Sequence, residues 1–176
     1  KEVDELIFLD IGASVENKEP NYRMKEDIAS ECFMPLCYGG GVKTIEQMKN
    51  IYAIGVEKIS ISSQAVINPS LLIEASNMFG NQSVVVTIDI KKDFWGEKKV
   101  FINSGKKNTK LNPMDFIKQI ETLGAGEIVI NSVDNDGVMR GYDVKLLRDI
   151  KAITKIPIIA LGGAGGLNHI KEVFEV

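Results

Sequence analysis

Two stretches of this chain lie 122 positions apart and read as copies of one unit. The first runs Asp4-Glu5-Leu6-Ile7-Phe8-Leu9-Asp10 and reaches Met34-Pro35-Leu36-Cys37-Tyr38-Gly39-Gly40-Gly41. The second runs Gly126-Glu127-Ile128-Val129-Ile130-Asn131-Ser132 and reaches Ile156-Pro157-Ile158-Ile159-Ala160-Leu161-Gly162-Gly163. The shared offset carries Glu5 onto Glu127, Pro35 onto Pro157 and Gly40 onto Gly162. A repeat of this length, built of apolar strand, loop and helix, points to a half-barrel that has been doubled. Both copies end in glycines, which suggests two related anion sites on one rim.

Short Ile/Val-rich runs alternate with amphipathic patterns along the chain. The runs predict strands over 5–10, 35–38, 57–62, 83–89, 127–132 and 157–160. Helices are expected near 22–32, 44–54, 69–79, 112–123, 143–153 and from 167 onward. Continuous apolar runs imply strands buried on both faces, hence a parallel sheet with helical crossovers. Asn68-Pro69 and Asn112-Pro113 each offer a capping Asn before a Pro at the first helical position. Thr44 with Gln47 reads as a capping box, and Gly55, Gly80 and Gly124 sit where left-handed helix ends need glycine. Residues 91–110 break the rhythm and are expected to form a β-hairpin or mobile loop. Six β/α units fall short of a closed eight-stranded barrel. The expected fold is therefore α/β, a single (β/α)8 TIM-barrel domain over 1–176, truncated to about strands two to seven and lacking the first strand and last β/α unit.

Composition narrows the function classes. A net charge of −3 gives no reason to expect nucleic-acid binding, and 44% hydrophobic with 26% charged residues is ordinary for a globular enzyme. Lys91, Lys92, Lys98, Lys99, Lys106, Lys107 and Lys110 cluster around the 91–110 segment, either as a solvated loop or to steer an anion. Cys32 and Cys37 have neither metal-ligand spacing nor a disulfide framework. Apolar runs of about seven residues are too short to span a bilayer. The chain reaches a strand almost at once, without a signal-peptide pattern, so a cytoplasmic location is expected.

In a barrel, polar residues at strand C-termini carry chemistry. Here they are Asp10, Gly39-Gly40-Gly41, Ser60, Ser62, Ser63, Asp89, Asn131, Asp134, Asp136-Gly137 and Gly162-Gly163. Asp89 emerges from Ser83-Val84-Val85-Val86-Thr87-Ile88, where desolvation would raise its pKa and suit general acid or base work. The glycine segments let backbone N–H groups approach an oxyanion, and their pairing favours a two-phosphate ligand over simple turns. His169 is the only histidine, so neither a His-based metal site nor a Ser-His-Asp triad can be assembled. No metal or cofactor is expected. Glu5, Lys58 and Glu127 begin strands at the opposite end, either as solvent-facing charges or as a ring around the bottom opening.

Nearly the whole chain resembles the cyclase subunit of imidazole glycerol phosphate synthase, a (β/α)8 barrel of histidine biosynthesis. The resemblance rests on Asp4–Asp10, Gly39-Gly40-Gly41, Ala65-Val66-Ile67-Asn68-Pro69-Ser70-Leu71, Ile88-Asp89, Ser104-Gly105-Lys106-Lys107-Asn108-Thr109, Gly124-Ala125-Gly126-Glu127, Asp134-Asn135-Asp136-Gly137, Gly141-Tyr142-Asp143 and Gly162-Gly163-Ala164-Gly165. It implies a lyase fed by a separate glutaminase subunit docked at the barrel bottom, forming a heterodimer. Ammonia would cross the barrel and meet a bisphosphorylated ribulosyl imidazole-carboxamide, giving imidazole glycerol phosphate and an aminoimidazole carboxamide ribotide. Asp89 matches one of two catalytic aspartates; the other would precede residue 1. One phosphate would meet Gly40, Gly41, Ser62 and Ser63, and the other Asp136, Gly137, Gly162 and Gly163. Glu5, Lys58 and Glu127 match three members of the ammonia gate, while Asp10 and Asn131 are further site candidates. The 176 residues alone are expected to be inactive.

Cys37-Tyr38, Ser62, Asn131 and Leu161 depart from the histidine enzyme's usual Thr-Val, Asn, Thr and Ser. The segment Glu31–Gly41 looks more like a paralogous branch of surface-polysaccharide gene sets. The alternative function is thus ammonia channelling for amidation of a nucleotide sugar.

Overall fold

The computed structural model describes residues 4–10, 12 and 34–176. The helix expected over 22–32, and Cys32 with it, lie outside the described residues. The elements in chain order are β1 (Leu6–Leu9), β2 (Leu36–Gly39), α1 (Ile45–Ala53), β3 (Lys58–Ile61), α2 (Ser63–Ile67), α3 (Ser70–Phe79), β4 (Val84–Lys92), β5 (Lys98–Ile102), β6 (Lys107–Asn108), α4 (Pro113–Thr122), β7 (Glu127–Ser132), α5 (Val144–Lys151), β8 (Ile158–Leu161) and α6 (Leu167–Phe174). A 3-10 turn, Asn81–Ser83, leads into β4.

Six strands pair in parallel in the order β1-β2-β3-β4-β7-β8, forming an arc of a (β/α)8 barrel. Each strand has side chains on two faces with a period of two. Leu36, Tyr38, Ile59, Ile61, Val84, Val86, Ile88, Ile90, Ile128 and Ile130 point outward into one core with the helices. The intervening Cys37, Val85 and Val129, with Ile7, Ile159 and Leu161, form a separate inner cluster. The strands are therefore not uniformly apolar: their outer positions are, whereas the inner face changes character from one end to the other.

The helices show how the chain is punctuated. Asn112 caps α4 through its side chain, accepting from the amides of Met114 at 2.8 Å and Asp115 at 3.4 Å, with Pro113 at the first position. Thr44 caps α1 by accepting from Gln47 N. The expected reciprocal bond is shifted by one residue, because Gln47 Oε1 accepts from Lys43 N at 2.8 Å. Asn68 departs further: it ends α2, its side chain takes the Ser70 hydroxyl at 2.7 Å, and α3 begins without a side-chain cap. The short α2 already occupies the approach to α3, which is why Asn68 serves the preceding element.

The 91–110 segment is an ordered hairpin. β4 continues to Lys92 and pairs antiparallel with β5, which pairs with β6. Asp93 Oδ1 accepts from the amides of Trp95 at 2.9 Å and Glu97 at 3.0 Å, closing the tip, and leaves Phe94 and Trp95 exposed. Just below the tip Lys98, in register with Lys92, pairs with Asp143, the residue that caps α5. From Asp89 onward β5 occupies the edge of β4 that β3 holds lower down. No helix among the described residues is long and apolar enough to cross a membrane.

Cys37 is fully buried on the inner face, and burial, then the Glu5 carboxylate, pushes its thiol up to about 12. Thiolate is the reactive form. A thiol reagent at mildly alkaline pH should therefore leave Cys37 unmodified in the native protein and modify it after denaturation. Peptide mapping reads the result, and native labelling of Cys37 would contradict its placement.

Candidate functional site

At the C-terminal ends of the strands lies a pocket of about 510 Å³. It gathers Asp10, Gly40, Gly41, Ser62, Ser63, Asp89, Asn131 and Asp136 from six different segments. Gly137, Gly162 and Gly163 do not line it. Gly162 stands just behind it, since a Cβ there would lie 3.4 Å from Asp136 Cβ and 3.3 Å from Asn131 Oδ1. Gly163 is glycine for a packing reason: at φ 107° its Cβ would come within 2.1 Å of the Gly141 carbonyl. That carbonyl strand is fixed from both sides, as Gly141 N donates to Gly163 O at 2.8 Å and Asn135 Nδ2 donates to Gly141 O at 2.9 Å.

The first glycine turn is shaped by Asp10. Asp10 N donates to Gly39 O at 2.7 Å, and Gly40, at φ 126°, passes so close to the Asp10 carbonyl that a Cβ would sit 2.4 Å away. The Tyr38 hydroxyl donates towards Gly40 O at 3.1 Å and lies 3.4 Å from Asp10 Oδ2. The turn is thus held rigidly at the pocket wall. Ser62 precedes α2 without capping it, and Ser63 Oγ accepts from Asn103 N at 3.0 Å, joining the hairpin to the first serine pair.

Asp89 is buried, with 7% of its surface exposed. Burial raises its pKa, hydrogen bonds from Asn131 and the Gly105 amide oppose that rise, and Asp136 adds to it; the net direction is up. Asn131 Nδ2 donates to Asp89 Oδ1 at 2.8 Å. Such a carboxyl can hold or release a proton at a higher pH than a solvated aspartate. Several wall residues carried no clear sequence signal: Lys43, Gln64, Thr87 and Asn103 line the pocket, together with Ser104, which opens the 104–109 stretch. Asn103, Ser104 and Gly105 take consecutive left-handed conformations at φ 56°, 56° and 73°. Three such residues in a row aim the turn back at Asp89, and the Ser104-Gly105 pair was the only hint of it. The Asp136 amide is committed to Ser132 O at 3.0 Å, and Gly165 N donates to His169 Nδ1 at 3.1 Å.

Glu5, Lys58 and Glu127 meet at the other end of the inner face. Lys58 Nζ donates to Glu5 Oε2 at 2.8 Å and Glu127 Oε1 at 2.6 Å. Burial pulls the Lys58 ammonium down, but the two carboxylates outweigh it and its pKa is raised. Moving up the inner face from this triad, Cys37, Val85 and Val129 give way to the buried Ser60–Thr87 hydroxyl pair, 2.6 Å apart, and then to Asp89. Among the described residues no cluster of His, Cys, Asp and Glu could hold a metal ion.

Comparison with known proteins agrees with this layout. Residues 1–176 match the family described as Histidine biosynthesis protein. A Pseudomonas aeruginosa protein, provisionally named imidazole glycerol phosphate synthase subunit hisF2, is 47% identical over 99% of this chain and 70% of its own. A Leptospira borgpetersenii protein provisionally named subunit HisF is 49% identical over 99% of this chain and 69% of its own. The imidazole glycerol phosphate synthase subunit HisF of Natranaerobius thermophilus is 43% identical over 98% of this chain and 68% of its own. With a matching family over its full length and relatives at this identity, the chain belongs to the histidine biosynthesis protein family, in its branch of HisF-type imidazole glycerol phosphate synthase subunits.

Proposed function

We propose that this protein is the ammonia-dependent cyclase/lyase subunit of a glutamine amidotransferase. The observation that carries the reading is the graded inner face: an ion triad at the bottom, an apolar belt, a hydroxyl pair, and a buried carboxyl at the pocket. A neutral molecule such as ammonia can cross an apolar belt that excludes ions, since an unpaired charge there is costly. A glutaminase subunit docked over Glu5, Lys58 and Glu127 would deliver it. In the pocket, Gly40 and Gly41 with the Ser62 and Ser63 hydroxyls would take one phosphate of a bisphosphorylated ribulosyl imidazole-carboxamide. Gly137, Gly162 and Gly163 would take the other; Asp136, with its amide already used, suits a substrate hydroxyl. Asp89 would give a proton to the leaving amine and recover one during ring closure, yielding imidazole glycerol phosphate and an aminoimidazole carboxamide ribotide.

A second reading is ammonia supply for amidation of a nucleotide sugar. Leu161 favours it, because an apolar residue precedes Gly162-Gly163 where a hydroxyl would help hold phosphate.

Calorimetric titration with the bisphosphorylated imidazole-carboxamide separates the two. The first reading expects micromolar or tighter binding that Ser63→Asp weakens at least about tenfold, or 1.4 kcal/mol. A carboxylate at 63 can still accept from Asn103 N, so the fold is retained while phosphate is repelled. No binding to the folded protein would favour the nucleotide-sugar reading.

Asp89→Asn should lower turnover by about a hundredfold or more, the usual worth of a general acid, yet raise stability. Folded Asp89 holds its proton more tightly than unfolded Asp89. Its ionisation penalty is absent below the ordinary 3.8, grows as pH rises through the folded value, and is complete above it. The variant should melt higher than wild type near neutrality, with the gap closing towards pH 3.8. A variant that keeps turnover would remove Asp89 from the reaction.

Lys58→Met leaves Glu5 and Glu127 facing each other without a cation. Half-buried as the triad is, the cost should be about 2 kcal/mol, between the limits for exposed and buried pairs. Glutamine-driven turnover with the glutaminase should fall more than turnover with added ammonium salt; an equal fall would argue against a gate.

A further inference from the structure

We infer that Asn131 is a positioning residue for Asp89, kept with little net gain in stability because its amide fixes that carboxylate. The inference rests on the reading of Asp89 as the proton-transfer group. Asp89 and Asn131 are direct partners in the parallel β4–β7 register, both on the inner face. Their side chains meet at 2.8 Å, Asn131 Nδ2 donating to Asp89 Oδ1.

The other end of the same amide has nothing to do. Asn131 Oδ1 is buried without a hydrogen-bond partner, one of two such side-chain oxygens among the described residues. The cause lies in the next strand. Asn131 is in register with Leu161 of β8, which has no donor to offer, and the following Gly162 brings only backbone against Oδ1. Turning the amide over would not help, since Oδ1 would then face the ionised Asp89 carboxylate, acceptor against acceptor. An unsatisfied buried acceptor costs about 1–3 kcal/mol, about what a hydrogen bond to a charged carboxylate returns. For stability alone the amide therefore gains little over an aliphatic residue. Asn131 is retained here with the only bond of its amide directed at Asp89.

The consequence for Asp89 is directional and electrostatic. One carboxylate oxygen is held by β7, and the Gly105 amide helps hold the charged form. The charged groups around it are Asp136 beside β7 and, across the pocket, Asp10 and Lys43; β5 contributes only Phe101 opposite it. Among the side chains that face Asp89, Asn131 is the one that donates to it, opposing the burial that raises its pKa.

Asn131→Leu tests this in the full chain. Carbon-13 NMR titration of the Asp89 carboxyl, which needs no substrate, should move to higher pH than in wild type. With the bisphosphorylated imidazole-carboxamide and ammonium salt, the pH profile should shift the same way and turnover should fall about tenfold, part of what the general acid supplies. Thermal melting should change little, the lost bond to Asp89 being offset by removal of the unpartnered oxygen. An unshifted Asp89 titration overturns the inference, even if turnover falls. Should Asn131→Leu fail to fold, Leu161→Ser against Leu161→Ala decides. Both lose the leucine, but only serine can donate to Asn131 Oδ1, so it should melt higher than alanine; equal melting overturns the claim that the oxygen lacks a partner. Absence of substrate turnover in wild type would count against the proposed reaction, while the Asp89 titration and the Leu161 pair would still decide this one.

Discussion

Everything in this structure depends on a parallel sheet whose central strands are buried on both sides. Backbone hydrogen bonding along β1-β2-β3-β4-β7-β8 leaves each strand two faces, and on the central β2, β3, β4 and β7 neither meets bulk water freely. The outer face is answered in one way, by Ile, Val, Leu and Tyr against helices. The inner face is where the chain can afford variety, because its side chains answer to each other. Lys58 can be half-buried there only because Glu5 and Glu127 close on it, and the buried Asp89 takes hydrogen bonds from Asn131 and Gly105 that oppose the effect of its burial. Polar groups at both ends and carbon in the middle follow from that rule.

Much of this arrangement was legible in the residues. The strands fell within a residue or two of their expected ends, except β4, which runs on to Lys92. The helix starts at Thr44 and Asn112 were readable because capping is local chemistry, written within four residues. What escaped was either too short or too far apart. α2 and the 3-10 turn span five and three residues, less than the period needed to announce a helix. Asn68 was misjudged for the same reason, as the cap of a helix that begins later.

The site shows the same division. Asp89, the serine pair and the glycine turns stood out by chemistry and by position after strands. Their partnerships did not, because those depend on register between distant strands. Asn131 reaches Asp89 across 42 positions, and Ser63 takes the Asn103 amide across 40. Lys43 and Thr87 line the pocket without any motif to mark them. That Leu161 leaves Asn131 Oδ1 without a donor is likewise a fact of three strands side by side, invisible in any one of them.

The hairpin above β4 divides into parts with opposite obligations. Its base belongs to the ladder beside Asp89, so any change in register there would be felt at the carboxyl, while the Lys98–Asp143 pair holds the upper end of β5. Its tip closes on itself through Asp93 and holds Phe94 and Trp95 out in water. Residues 94–96 are thus a peg on which new sequence can be hung, a natural insertion point where the chain can acquire binding segments while the chemistry beneath keeps its geometry.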